Sequence, residues 1–187
     1  METSREQTLT VICAISENGK VWMGGDSAGV GGLSLSVRKD PKVFINGDFI
    51  IGYTTSFRMG QLLQYSLHPP EMVKGEDGMA YMVRRFIPAV KDCLKGGGFQ
   101  STQNSVDEGG VFLVGFHGEL YEIQSDYQVS RVVQQYDACG CGYQIALGSL
   151  HTTDGYQLSP KERLMMALNA AEAFSAGVRG PFYVLVK

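Results

Sequence analysis

Apolar and polar positions alternate in short runs over the first third of the chain, give way to helical spacing, and then repeat that succession. Residues 10–17 and 20–26 are two runs rich in strand formers around Asn18-Gly19, a pair suited to both central positions of a tight hairpin turn. Such a turn sets Glu17 opposite Lys20, Ile15 opposite Trp22 and Thr10 opposite Ser27, which brings a threonine beside Asp26. Residues 27–32 read as a glycine-rich loop and 33–37 as a half-buried strand alternating apolar residues with serine. Residues 42–45 and 49–54 read as two strands joined by Asn46-Gly47-Asp48.

Helical spacing begins at residues 56–67, where Met59, Leu62, Leu63 and Tyr65 form an apolar face, and stops before His68-Pro69-Pro70. A second helix over residues 77–95 carries Met79, Met82, Val83, Phe86, Val90 and Leu94, and Pro88 within it predicts a kink. Gly96-Gly97-Gly98 ends it, and the polar run 100–107 reads as a loop or crossover. Residues 111–116 and 119–123 form a hairpin over His117-Gly118, followed by a strand at 129–133 and a short helix at 143–149. Ser159 as cap, Pro160 at the first helical position and Glu162 completing a capping box start a last helix. It runs to residue 175 with Leu164, Leu168, Ala171 and Phe174 inward, and residues 181–187 close the chain as a strand. This order suits an α+β fold: a four-layer αββα sandwich, two antiparallel sheets face to face with a helix pair on each outer side. Residues 10–187 form one domain behind a polar leader, residues 1–9.

A hydrophobic fraction of 44% against 19% charged residues supports a packed globular core in these 187 residues. The net charge of −3 and a pI near 5.6 argue against a nucleic acid or an anionic membrane as partner. No apolar run approaches the ~18 residues of a membrane span, and the leader is too polar for a signal peptide. A cytoplasmic chain is expected. Cys13, Cys93, Cys139 and Cys141 contain no Cys-x-x-Cys, and with three histidines there is no zinc-like spacing. Reduced thiols and no metal or cofactor are expected.

Residues 10–26 resemble the opening of a proteasome-type β subunit, most closely the HslV-type peptidase of the HslUV protease, within the N-terminal nucleophile hydrolases. Those proteins start with a nucleophilic threonine, a short apolar strand, an Asn-Gly-type turn, a second strand and Gly-Gly-Asp, a spacing matched here without a gap. The likeness extends to Lys42 in Asp40-Pro41-Lys42-Val43-Phe44. It implies Thr10 as nucleophile, with Asp26 and Lys42 as its electrostatic partners. It further implies the Thr55 N–H as oxyanion donor, although the segment equivalent to the family's Ala-Gly-Gly reads Gly52-Tyr53-Thr54-Thr55-Ser56 here. The family's Gly-Ser-Gly, with a serine near the nucleophile, appears as Gly140-Cys141-Gly142, so Cys141 is either a weak donor and acceptor at the site or an inert thiol. Glu172 and Ser175 have the spacing of the family's Asp and Ser on the last helix.

A threonine hydroxyl becomes a useful nucleophile only when a base takes its proton. As first residue of a mature chain, Thr10 would supply its own α-amine, with an ordinary pKa of roughly 7.7 to 8. The resemblance implies hydrolysis of peptide bonds in peptides or unfolded proteins, inside a homo-oligomeric ring or double ring, with an ATP-dependent unfoldase as partner. The alternative is a non-catalytic, structural or interaction ring of the same fold, in which Thr10 is an ordinary strand residue and Asp26 and Lys42 are a structural ion pair. Gly25-Asp26-Ser27-Ala28-Gly29 also fits a serine hydrolase motif, but a nucleophile elbow needs a helix directly after the serine, and a glycine-rich loop follows.

Overall fold

The computed structural model describes residues 9–31, 33–99, 101–103 and 106–187. The chain opens with β1 (Val11–Glu17) and β2 (Lys20–Gly25), a small hairpin of β3 (Ala28–Gly31) and β4 (Ser34–Val37), then β5 (Val43–Asn46) and β6 (Phe49–Tyr53). Helices α1 (Phe57–Tyr65), α2 (Gly78–Tyr81) and α3 (Ile87–Gly96) follow, the last two joined by a π-helical segment, Met82–Phe86. Another small hairpin, β7 (Ser101–Gln103) and β8 (Val106–Glu108), leads to β9 (Phe112–Phe116), β10 (Glu119–Ile123), β11 (Val129–Ser130) and β12 (Tyr136–Gly140). Helices α4 (Tyr143–Thr152) and α5 (Pro160–Phe174) precede β13 (Tyr183–Val186).

Two antiparallel sheets, ordered β12-β1-β2-β13 and β11-β10-β9-β6-β5, pack face to face. Ile12, Ala14, Val21 and Met23 of the first sheet meet Val43, Ile50, Leu113 and Leu120 of the second. On the outer side of the first sheet, Val11, Cys13 and Ile15 pack under Ala146 and Leu150 of α4 and Leu164, Leu168 and Ala171 of α5. The outer side of the second is covered by Met59 and Leu63 of α1, Phe86, and Val90 and Leu94 of α3. Burial on both faces is why β1 reads as an almost unbroken apolar run instead of an alternating one. This is the four-layer α+β sandwich expected. Among the described residues no helix is long and apolar enough to cross a membrane.

The first hairpin has the expected register, Ile15 opposite Trp22 and Glu17 opposite Lys20. Ser159 and Glu162 form the full capping box of α5. Just before Pro88, where a kink was expected, lies the π-helical segment, whose following Ile87 N–H reaches back five residues to the Met82 carbonyl. A proline lacks the amide that would continue regular bonding, and one wider turn absorbs the defect.

Elsewhere the structure differs from expectation. Residues 28–31 are strand β3, not loop, and β4 lies exposed along its length instead of half-buried. The polar run after α3 includes the β7–β8 pair, with residues 100, 104 and 105 outside the described set. β11 stops at Ser130, and α4 continues to Thr152. β12 has no counterpart in the sequence reading. Phe174 is 80% exposed, and Tyr65 also points to solvent. Phe174 is the last residue of α5.

Gly60 in α1 lies flush against Tyr53 of β6; a Cβ there would fall within the phenol ring. Gly60→Ala is expected to lower stability by roughly 1–3 kcal/mol despite alanine's better helix propensity, because a buried ring cannot retreat. A fall in the denaturation midpoint with unchanged slope is the readout.

Candidate active site

β1 begins one residue after Thr10, and the carbonyl of Val11 accepts from the Asp26 N–H at 3.3 Å just beyond the end of β2. The hairpin therefore delivers a hydroxyl and a carboxylate side by side: Thr10 Oγ1 donates to Asp26 Oδ1 at 2.7 Å. Lys42, immediately before β5 in the opposing sheet, crosses the inter-sheet gap to place Nζ 2.9 Å from Asp26 Oδ1 and in hydrogen-bond contact with Thr10 Oγ1. Thr10 and Lys42 are each 3% exposed and Asp26 is fully buried.

The Asp26 carboxylate is saturated with donors. Besides Thr10 and Lys42, Oδ1 accepts from Val11 N–H at 3.1 Å, and Oδ2 accepts from Ala28 N–H at 2.9 Å and Arg179 N–H at 3.3 Å. Three backbone amides and a cation replace the hydrogen bonds that this buried side chain would make to water. Burial pulls the Lys42 ammonium below its ordinary pKa, and the Asp26 charge opposes that shift. An amine so placed can exchange a proton with a hydroxyl in contact with it. The face of Phe57 lies 5.7 Å from Lys42 Nζ and 4.0 Å from the Arg38 guanidinium.

β12 supplies the other wall. It pairs with β1, setting Gly140 opposite Val11. Gly140 has φ +95°, and a Cβ there would collide with the Thr10 carbonyl oxygen, so glycine alone allows this approach. Cys141 then sits against the nucleophile's own backbone: Thr10 N–H donates to Sγ at 3.3 Å, and the thiol lies 3.3 Å from the Thr10 carbonyl oxygen. Ser175 Oγ is 3.4 Å from the same sulfur. Gly177 leaves room for the residue before the threonine, since a Cβ there would come within 2.7 Å of Cys141 Sγ and of Leu9 Cδ2.

Thr55 adopts φ +51°, a left-handed conformation that is costly for a β-branched residue. Its Oγ1 accepts from Val111 N–H at 3.0 Å, which holds it there without the glycines of the resembling family. Among the described residues no acceptor is hydrogen-bonded to the Thr55 N–H. Residues 54–56 separate two depressions: a groove of about 290 Å³ that includes Leu9, Thr10 and Lys42, and a cleft of about 1070 Å³ bordered by Gly140 and Cys141. Backbone strain at such a divide is a feature found at functional sites.

Glu172 stands one step removed. Its Oε1 accepts from Gly180 N–H at 2.9 Å and pairs with Arg179 at 3.7 Å, so it fixes the segment whose Arg179 amide reaches Asp26. That segment carried no sequence signal, because its part is played by backbone N–H groups. Ser27 is fully buried and its hydroxyl donates to the Pro181 carbonyl at 2.6 Å, which leaves the serine hydrolase motif without a nucleophile.

Two antiparallel sheets with one helical layer on each outer side give the chain the proteasome-like four-layer fold. Among solved structures, that of BPH from Thiobacillus denitrificans in complex with epoxomicin has a TM-score of 0.77 at 16% identity, covering 95% of this chain and 98% of that one. Eukaryotic HslV from Trypanosoma brucei gives 0.69 at 18% identity over 95% and 98%. Anbu, an ancestral β-subunit from Yersinia bercovieri, gives 0.62 at 12% identity over 95% and 81%. No family model and no curated protein matches the sequence.

Proposed function

We propose that this chain is a proteasome-like threonine peptidase subunit that acts once the residues before Thr10 have been removed. The observation that carries the reading is the contact of one hydroxyl, Thr10 Oγ1, with both a buried carboxylate and a buried ammonium. In the processed chain the Thr10 α-amine, or the Lys42 amine, takes the hydroxyl proton as Oγ1 attacks a peptide carbonyl. The tetrahedral oxyanion points to the Thr55 N–H, and its collapse expels the amine product with that proton and leaves an ester on Thr10. Water then adds to the ester, releases the acid and restores the hydroxyl. Cys141 and Ser175 position the Thr10 backbone, and Glu172 supports the loop behind Asp26.

The chain acts as a homo-oligomeric ring in this reading, enclosing the sites and admitting peptides or unfolded protein with the help of an ATP-dependent unfoldase. Support comes from the exposed Leu33, Leu35 and Val37 around β4, an apolar face on an element that packs on neither sheet. The non-catalytic ring remains the second reading, favoured by Leu9: self-cleavage of the bond before Thr10 needs a tight turn, and a γ-branched residue resists it.

The test uses particles shown by light scattering to exceed the 20.4 kDa of one chain. Wild type is expected to hydrolyse small peptide amides, and Thr10→Ala to lower kcat/KM by about 10³-fold or more. Equal turnover by the two proteins contradicts the peptidase reading.

A further inference from the structure

Strand alternation reserves two positions for the apolar layer between the sheets, yet both hold carboxylates. On β12, Asp137 stands opposite Ala14 of β1, and its alternate neighbour Cys139 is part of the inter-sheet core with Ala14. On β10, Glu122 stands opposite Leu113 and shares the face of Leu120, again core residues of that layer. The two acids line the same cleft of about 1070 Å³, with Glu108 also in its wall, and among the described residues none that lines it is Lys, Arg or His.

Asp137 is only 7% exposed. Among the described residues its one hydrogen bond is from the adjoining Ala138 N–H to Oδ1 at 2.8 Å, and no cation pairs with it. Among the described residues Glu122 accepts from Gln124 Nε2 at 2.6 Å and is also hydrogen-bonded by Ser130, with no cationic partner. Burial raises both carboxyls above the usual range, and the Asp137 charge adds to the shift on Glu122. Asp137 is a buried carboxyl lining a roomy cleft, and as an anion it is costly unless it takes up a proton or a counter-charge arrives from outside. Phe99, Val111, Tyr143 and Leu147 give the same cleft apolar walls. An apolar sleeve ending in carboxylates matches the aliphatic stem and charged head of lysine or arginine. A metal ion matches it poorly, since among the described residues no group of three or more His, Cys, Asp or Glu could hold one. Thr55 and Cys141, the latter in contact with Thr10, are among the residues that line the cleft.

We propose that this inter-sheet cleft is a specificity subsite that receives a lysine or arginine side chain of a peptide engaged at Thr10, with Asp137 and Glu122 as its recognition groups. The proposal rests on the peptidase reading above. Two measurements on the assembled particle test it. The first is the ratio of kcat/KM for peptide amides carrying lysine or arginine to that for the same peptides carrying norleucine, scanned across positions around the cut bond. A preference of about tenfold or more at one position is expected, falling to near unity in Asp137→Asn and in Glu122→Gln. Because the ratio is internal to each variant, partial loss of folded protein cancels. The second measures binding without turnover, by fluorescence anisotropy of labelled lysine, arginine and norleucine peptides on the Thr10→Ala particle with and without Asp137→Asn. Tighter binding of the cationic peptides, lost with Asp137→Asn, supports the subsite. No cationic preference, or one that survives both carboxylate changes, overturns it. If wild type hydrolyses nothing, the peptidase reading falls on the first measurement, while equal binding of cationic and norleucine peptides overturns the subsite on the second.

Discussion

Asp26→Asn is expected to be the most damaging isosteric change in the chain. The carboxylate accepts from Thr10, Lys42 and three backbone amides, and it is fully buried. An amide in its place has one oxygen to accept with and turns an NH2 toward groups that are themselves donors. Lys42, 3% exposed, is left without its counter-charge. Breaking a buried pair in this way costs roughly 3–5 kcal/mol, and for a domain of this size the melting temperature should fall by about 10 °C. Thermal unfolding followed by circular dichroism reads the shift. A change within 2–3 °C would show that water or rearranged donors already satisfy the site.

Lys42→Ala should separate activity from stability. The Asp26 carboxylate keeps its three backbone donors and the Thr10 hydroxyl, so the remaining charge is still hydrogen-bonded, and the loss of stability should be smaller than for Asp26→Asn. Peptidase kcat/KM, in contrast, is expected to fall by roughly 10²- to 10⁴-fold, the span typical of removing a proton-transfer group. Near-wild-type turnover of a small peptide amide by a folded Lys42→Ala particle would exclude a role for this amine in activating Thr10.

How the centre was legible follows from local chemistry. Asn18-Gly19 fixes the hairpin register, and register alone carries Asp26 to the side of Thr10. Lys42 is marked only by the resemblance of Asp40-Pro41-Lys42-Val43-Phe44 to the proteasome-type pattern, since neither register nor alternation sets it apart. The opposite wall was hidden for a physical reason: in Tyr136-Asp137-Ala138-Cys139-Gly140 an acid occupies a core-facing position, which breaks the alternation by which a strand is recognised. Without β12, Cys141 could be matched to a motif but not placed. The donors from Ala28 and Arg179 are main-chain groups that no side-chain pattern announces. Glu172 was legible as a spacing, yet its contacts lie with Arg179 and Gly180 instead of the nucleophile. The apolar residues of β4 alternate as a strand should, but the layer that would cover them is not part of this chain's own sandwich.

Intact mass of the assembled particle before and after treatment with epoxomicin decides whether Thr10 becomes an N-terminal nucleophile. An epoxyketone of this kind forms its ring through both the hydroxyl and the free amine of a terminal threonine, so labelling reports processing and reactivity together. A chain beginning at Thr10 that gains the mass of one inhibitor is expected, with Thr10→Ala unlabelled. A particle that retains Leu9 on Thr10, takes up no inhibitor and hydrolyses peptides no differently after Thr10→Ala would contradict the peptidase reading and leave the non-catalytic ring in its place.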